Sequence, residues 1–179
     1  LSGGDPLMAD DHALSGLFVR LESVSSIHRL RIHTRLPIVI PERVTDTLCQ
    51  TIAATTLPVV MVLHSNHANE IDQSVMDAVS QLRAVCRSVL NQSVILKGIN
   101  DSADVLIALS ERLFEAGIDP YYLNVLDRVS GAHHFDVSDL EVAALHQALL
   151  NALPGYLVPK LVREVPGIGH KLQWNGTMR

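Results

Sequence analysis

The fold is decided by residues 58–96, PVVMVLHSNHANEIDQSVMDAVSQLRAVCRSVLNQSVIL. Two apolar, β-branched runs, 58–64 and 89–96, flank a stretch with apolar residues three and four positions apart, 72–86. The runs have the length and composition of buried strands, and the spacing between them is that of an amphipathic helix. Strands that alternate with helices pair in parallel, so the segment predicts a βαβ unit.

The same alternation continues on both sides of this segment. Further strand-like runs are IHRLRIH (27–33), PYYLNVLD (120–127) and YLVPKLVREV (156–165), and further helical patterns are 10–24, 44–55, 102–117 and 138–153. Thr45, Asp101 and Ser138 are expected to be N-caps, because each precedes a helical pattern with a side-chain oxygen. Repeated βαβ units predict an α/β fold built on a parallel sheet.

Composition excludes several classes of protein. The chain has 179 residues, 47% of them hydrophobic, which suffices for one sizeable core or for a large piece of a bigger one. The net charge is -5 and the basic residues are scattered, so no nucleic-acid surface is expected. No apolar run has the length of a membrane span, and the first residues lack the pattern of a signal peptide. We therefore expect a cytoplasmic protein.

The glycine-rich turn SGGDP, residues 2–6, opens the chain directly before the first helical pattern. Glycines let a backbone approach a ligand closely, but they serve equally in any tight turn. A Gly-Gly turn that opens a helix normally follows a strand. We therefore expect strands to precede Leu1 and the chain to be a piece of a larger barrel.

Polar residues cluster where the predicted strands end. His33, Thr34 and Arg35 follow one strand, the stretch 64–67 (HSNH) follows the next, and Asp127 follows a later one. Barrel enzymes place their active sites at this end of their strands. The sequence therefore predicts a functional rim formed by these segments.

Six motifs occur in order: SGGDPL (2–7), LRIHTRLPIVIPERVT (30–45), LHSNHANEI (63–71), LNQSVILKGIND (90–101), PYYLNVLDRVSGAHHF (120–135) and YLVPKLVREVPGIGHK (156–171). This set closely resembles the lysine 2,3-aminomutase family of radical S-adenosylmethionine (SAM) enzymes, and most of all the branch that makes (R)-β-lysine for elongation factor P. The resemblance implies a partial parallel (β/α)6 radical SAM barrel without its N-terminal strands. Its parts would be the barrel, 1–155, and a C-terminal strand with a cofactor loop, 156–179.

The resemblance also implies two cofactors that this chain contacts. The positions that match SAM contacts are Gly3, Gly4, Asp5, His64, His67 and Gln92. Lys171 matches the catalytic lysine that forms a Schiff base with pyridoxal phosphate (PLP). Asp127 matches the carboxylate that grips the ε-ammonium of substrate lysine, and Glu164 stands where the larger enzymes carry a second substrate-binding Asp.

Two departures from the family limit what the chain can do alone. No CxxxCxxC motif occurs, so the ligands of the family's [4Fe-4S] cluster are expected outside this chain. Cys49 and Cys86 cannot replace them and are expected to be buried thiols. Ser102 stands where some relatives have a zinc-binding cysteine, so we expect no metal site. The chain alone is expected to be inactive.

The implied activity is conversion of L-lysine to β-lysine through a SAM-derived radical and a PLP aldimine. The expected partners are the substrate L-lysine and further copies of the chain in a homo-oligomer. The product is expected to serve the modification of elongation factor P. Two alternatives stay open. One is an aminomutase acting on glutamate, although Asp127 with Glu164 suits a cationic side chain better. The other is a non-catalytic truncated remnant.

Overall fold

Six strands form the centre of the molecule. The computed structural model describes residues 1–127, 131–165 and 167–174. The strands are β1 (Leu30–Thr34), β2 (Val59–His64), β3 (Ser88–Val94), β4 (Asp119–Asn124), β5 (Lys160–Arg163) and β6 (Leu172–Gln173). All five strands expected from the sequence are present with shifted ends, and β6 is an addition.

Helices follow the strands as the periodicity predicts. They are α1 (Asp11–Glu22), α2 (Leu36–Val39), α3 (Asp46–Ala54), α4 (Gln73–Val85), α5 (Ala103–Glu115) and α6 (Asp139–Ala152). Thr45 and Ser138 accept hydrogen bonds from the third residue beyond them, which confirms two predicted N-caps. The prediction that Asp101 is the N-cap of α5 was wrong. Ser102 caps α5 instead, because its hydroxyl accepts from Val105 N.

The strands lie side by side in chain order. β1 to β5 are parallel, and β6 returns antiparallel to β5. This arrangement confirms the α/β class and the parallel sheet. The finer expectation, a partial (β/α)6 barrel, stays a prediction. So does the division into units 1–155 and 156–179, the second of which includes residues 175–179 outside the described ranges.

Helices bury one face of the sheet in two apolar clusters. The first joins β1, β2 and β3 to α1, α3 and α4, with Ile32, Met61 and Leu82 fully buried. The second joins β4 and β5 to α6, with Leu123 and Val142 almost fully buried. Because side chains alternate along a strand, the strand residues directly before and after these buried ones point to the opposite face of the sheet. We call it the open face. By this alternation, His33, His64 and Gln92 lie on the open face.

Leu1 continues the sheet beyond β1. Its amino group donates to Arg31 O at 2.5 Å, and its carbonyl accepts from His33 N at 3.1 Å. These two bonds have the pattern of a parallel ladder with Leu1 opposite Ile32. The expected preceding strand stays a prediction. Among the described helices, none is long and apolar enough to cross a membrane.

Candidate functional site

Three side chains form a row across the open face. The register places His64 of β2 opposite Gln92 of β3, and Gln92 opposite Tyr122 of β4. All three are partly exposed. Residues in register on neighbouring parallel strands point to the same face, so two predicted SAM positions, His64 and Gln92, are neighbours. Tyr122 was not expected here.

Lys171 reaches this row from the loop before β6. Its ammonium donates to Asn124 Oδ1 at 2.7 Å and to Glu164 Oε1 at 2.6 Å, and its Nζ lies 5.9 Å from the centre of the Tyr122 ring. The structure therefore brings together the predicted PLP lysine and one of the two predicted substrate acids, Glu164. Asn124, which sequence reasoning missed, completes the arrangement.

The pairing of β6 with β5 fixes where Lys171 lies. Arg163 of β5 is opposite Leu172, the residue after Lys171. Trp174 is 4% exposed, its backbone N–H donates to Leu161 O at 2.9 Å, and the Arg163 guanidinium lies over its ring. A buried Trp three residues after the lysine thus anchors this loop, because large aromatic side chains dominate packing energy.

Among the described residues, Asp127, the other predicted substrate acid, has no hydrogen bond or ion pair with Lys171, Glu164 or Asn124. It is exposed, three residues beyond the end of β4. Within the described ranges, no hydrogen bond or ion pair of Asp127 is present. The residues that follow, 128–130, lie outside those ranges. Its expected role in gripping a substrate ammonium stays a prediction.

The glycine turn is tied to the end of β1 by Asp5. Its carboxylate accepts from Leu7 N at 3.0 Å, Thr34 Oγ1 at 2.7 Å and Arg35 N at 2.7 Å. Gly3 and Gly4 have φ of 89° and 58°, so the turn needs glycine for its backbone conformation. These contacts give Asp5 a structural role. Its predicted contact with SAM would use a carboxylate lone pair that these three hydrogen bonds leave free.

Glu70 organises the loop after β2. Its Oε1 accepts from Asn66 N at 2.7 Å and His67 N at 2.9 Å, while its Oε2 pairs with Arg35 at 2.8 Å. His67 Nδ1 accepts from Asn69 N at 3.1 Å, so this nitrogen is unprotonated and the ring's other nitrogen is left for a ligand. Arg35 thereby links the loops after β1 and β2.

Buried amides tie β3 and the loop after it to the loop after β2. Asn91 exchanges hydrogen bonds with the backbone of Ser65, at 2.9 and 3.0 Å. Asn100 donates to Asn66 O at 2.8 Å and to Val94 O at 2.9 Å. Sequence reasoning missed this network. The available signal was the repeated occurrence of Asn beside apolar strand residues, where an unpaired amide would be costly.

His64 is held as a neutral ring. Its Nε2 is buried with no hydrogen-bond partner among the described residues. Burial lowers its pKa, the positive charge of Arg35 lowers it further, and Glu70 with Asn66 opposes the shift. A neutral ring with an unsatisfied nitrogen on the open face can accept or donate one hydrogen bond to a ligand.

We expect His64 to make the chain less stable as the pH falls. A lowered folded-state pKa means that the unfolded chain binds the proton more tightly, so this stability is present above the unfolded pKa of about 6.5 and is lost as the pH falls toward the folded value. Urea unfolding at pH 7, 6 and 5 should show a shallower decline in His64→Gln than in the parent. The exposed His12→Gln is the control, and equal slopes in all three proteins would contradict the prediction.

The site fits an aldehyde cofactor better than a metal cluster. Lys171 offers a primary amine beside the aromatic ring of Tyr122, as an aldehyde on a flat ring requires. Among the described residues, no group of three potential metal ligands comes together. Cys49 and Cys86 were expected to be buried, but both are partly exposed. Partial burial still raises the pKa of Cys86 to about 12 and also raises that of Cys49, so both thiols stay protonated, whereas cluster ligands are thiolates. The chain's own residues do not fit a [4Fe-4S] cluster.

Comparison with known proteins finds relatives that match nearly the whole chain. No protein-family model matches the chain. The L-lysine 2,3-aminomutase of Haemophilus influenzae is 54% identical over 170 residues, which are 95% of this chain and 50% of that protein. The Escherichia coli protein of that name is 54% identical over 93% of this chain and 48% of its own length. The protein of that name from Clostridium subterminale is 33% identical over 96% of this chain and 41% of its own length. The chain spans about half the length of the curated relatives it matches, and over nearly all of its own length it is similar to proteins named L-lysine 2,3-aminomutase.

Proposed function

We propose that this chain is the part of a lysine 2,3-aminomutase that holds the PLP lysine and one wall of the substrate site. The observation that carries the proposal is the contact of Lys171 with Glu164 and Asn124 beside Tyr122. Asn124 and Tyr122 lie on β4, Glu164 directly follows β5, and Lys171 directly precedes β6. A ligand bound to Lys171 would therefore lie against the acid that is proposed to bind substrate.

Each cofactor would use a different part of the open face. PLP would be held by Lys171, and SAM by the residues at the strand ends and the glycine turn: Gly3, Gly4, Asp5, His64, His67 and Gln92. PLP supplies a π-system that can carry a migrating amino group, and SAM supplies a radical once a reduced cluster outside this chain cleaves it. The chain's own residues bind, orient and shield the reactants.

The charge at the site favours lysine over glutamate as the substrate. Glu164 already accepts a hydrogen bond from an alkylammonium, that of Lys171, at 2.6 Å. The side-chain carboxylate of a glutamate would be repelled there, since like charges disfavour each other. Asp127 would add a second negative charge at the substrate's far end. Delivery of β-lysine to elongation factor P, a cytoplasmic location and a homo-oligomer belong to the same proposal.

A chimera tests the activity. We expect a protein in which this chain replaces the matching 170 residues of the Haemophilus influenzae relative to convert L-lysine to β-lysine under anaerobic conditions with SAM, PLP and a reductant. In it, Asp127→Asn should lower kcat/KM for lysine at least about tenfold, because a charge-assisted hydrogen bond is worth roughly 1.5–3 kcal/mol. Glu164→Gln should be somewhat milder, because water can replace its longer arm.

The matched control is Asp119→Asn, an exposed acid at the opposite end of β4. Its kcat/KM should equal that of the parent chimera, and PLP loading should be unchanged in all variants. Turnover of lysine by Asp127→Asn at the rate of the parent would contradict the proposal that Asp127 binds the substrate ammonium. A preference for glutamate would favour the glutamate aminomutase, and a folded but inactive chimera would favour the non-catalytic remnant.

A further inference from the structure

Two oxygens of neighbouring strands form a site of their own on the open face. Asn124 Oδ1 ends β4 and Glu164 Oε1 follows β5, and both accept from the same ammonium at 2.7 and 2.6 Å. We call this pair of oxygens the ammonium seat. We propose that it takes one alkylammonium at a time, and that Lys171 blocks it until the Lys171 amine is engaged elsewhere. This inference rests on the proposed function, in which a substrate ammonium binds Glu164.

The seat is formed before any ligand arrives. The Asn124 amide donates through Nδ2 to Ser93 O at 2.9 Å, a backbone contact within the sheet. That bond orients the amide, so its oxygen faces the ammonium. Glu164 supplies the charge, and Asn124 supplies a neutral acceptor. The pair therefore balances one positive charge with one negative charge.

The chemistry of the seat selects its ligand. An ammonium has three donors, and Lys171 satisfies two of them on these oxygens. A carboxylate is repelled by Glu164, and a neutral alcohol gains no charge-assisted bond. Its ligand class is thus a primary ammonium on an alkyl chain, which the side chain of lysine and Lys171 itself both present.

Lys171 and a second ammonium cannot occupy the ammonium seat at the same time. Two ammonium groups sharing oxygens at about 2.7 Å would lie within a few ångströms of each other and repel strongly. An aldehyde that takes the Lys171 amine would draw it away from Glu164 and open the seat. Loading of the lysine and gripping of a substrate ammonium are thereby coupled through Asn124 and Glu164.

The coupling can be measured on the 179-residue chain without a cofactor. The probe is n-butylammonium, with the Asn124 side-chain amide observed by ¹H–¹⁵N NMR. We expect Lys171→Ala to bind the probe at least about tenfold more tightly than the parent, as loss of a competing charged partner predicts. Adding Glu164→Gln or Asn124→Ala to that variant should weaken binding again, the former to the parent level. In the Asn124→Ala protein the probe's own ¹H signal reports binding.

Several controls keep the outcome decisive. Lys160→Ala removes an exposed lysine of β5 and should behave as the parent, and n-butanol and butyrate should not bind any variant. Lys171→Met vacates the seat with a larger side chain and should match Lys171→Ala, which guards against a folding defect in one of them. Equal affinity of parent and both Lys171 variants, or tight binding that survives Glu164→Gln, would overturn the inference. An inactive chimera would count against the proposed function without changing these binding results.

Discussion

Replacing Lys171 by alanine is expected to abolish the covalent PLP label that borohydride fixes on this chain. The sequence has three lysines, Lys97, Lys160 and Lys171, and the Nζ of Lys171 lies 5.9 Å from the centre of the Tyr122 ring. A carbonyl cofactor needs an amine that it can reach and a surface against which its ring can pack. We expect the parent to carry the label at position 171 and the variant to lose at least about nine-tenths of it, since the substitution removes the amine that is held beside the Tyr122 ring.

Peptide mapping after reduction measures this result. Lys97→Ala and Lys160→Ala are matched controls that should keep the parent's label. The amino group of Leu1 is held by Arg31 O and should take up little. A label found mainly on Lys97 or Lys160 would show that the cofactor lysine has been misassigned.

Replacing Asn100 by alanine is expected to cost about 3 kcal/mol of unfolding free energy, because up to three backbone groups lose their partner at once. The side chain is fully buried, and its oxygen accepts from Leu96 N at 2.7 Å. Its amide donates to Asn66 O and Val94 O. Alanine leaves these groups buried without a bond and leaves a small cavity.

Urea unfolding monitored by circular dichroism gives this free energy. The exposed Asn69→Ala, in the loop that the network supports, should stay within about 0.5 kcal/mol of the parent. Because the Asn100 amide holds the backbone of Asn66, the loop with His67 should also lose hydrogen-exchange protection. Unchanged stability of Asn100→Ala would mean that water replaces the amide fully.

Much of the fold was predictable because local patterns carry it. The β-branched runs and the three- and four-residue spacing located five strands and their helices, and Thr45 and Ser138 were recognisable caps. The N-cap of α5 was predicted wrongly because Asp101 and Ser102 both have a side chain that can cap a helix. Only the backbone conformation selected Ser102. Strand β6 has two residues, too few for a periodic pattern to reveal.

The candidate site was only partly predictable. The motifs named Lys171 and Glu164 individually, and the parallel order of strands implied that polar strand ends share one edge. The direct contact between these two side chains, and the part that Asn124 plays in it, depend on the pairing of β5 with β6 and on burial of Trp174. These are contacts between distant or irregular segments, which no local spacing encodes.

The sequence by itself determined the α/β class, the parallel sheet and the residues able to bind an amine, an ammonium or a ligand's polar groups. Those properties follow from residue type and from periods of two and about 3.6 residues, which act over a few neighbours. Tertiary structure decided which of these residues meet. It paired the carboxylates of Asp5 and Glu70 with donors of neighbouring loops, and it brought Lys171 within hydrogen-bond distance of Glu164. A carboxylate bonds whichever donor the packed chain brings within reach, and only the folded chain fixes that donor.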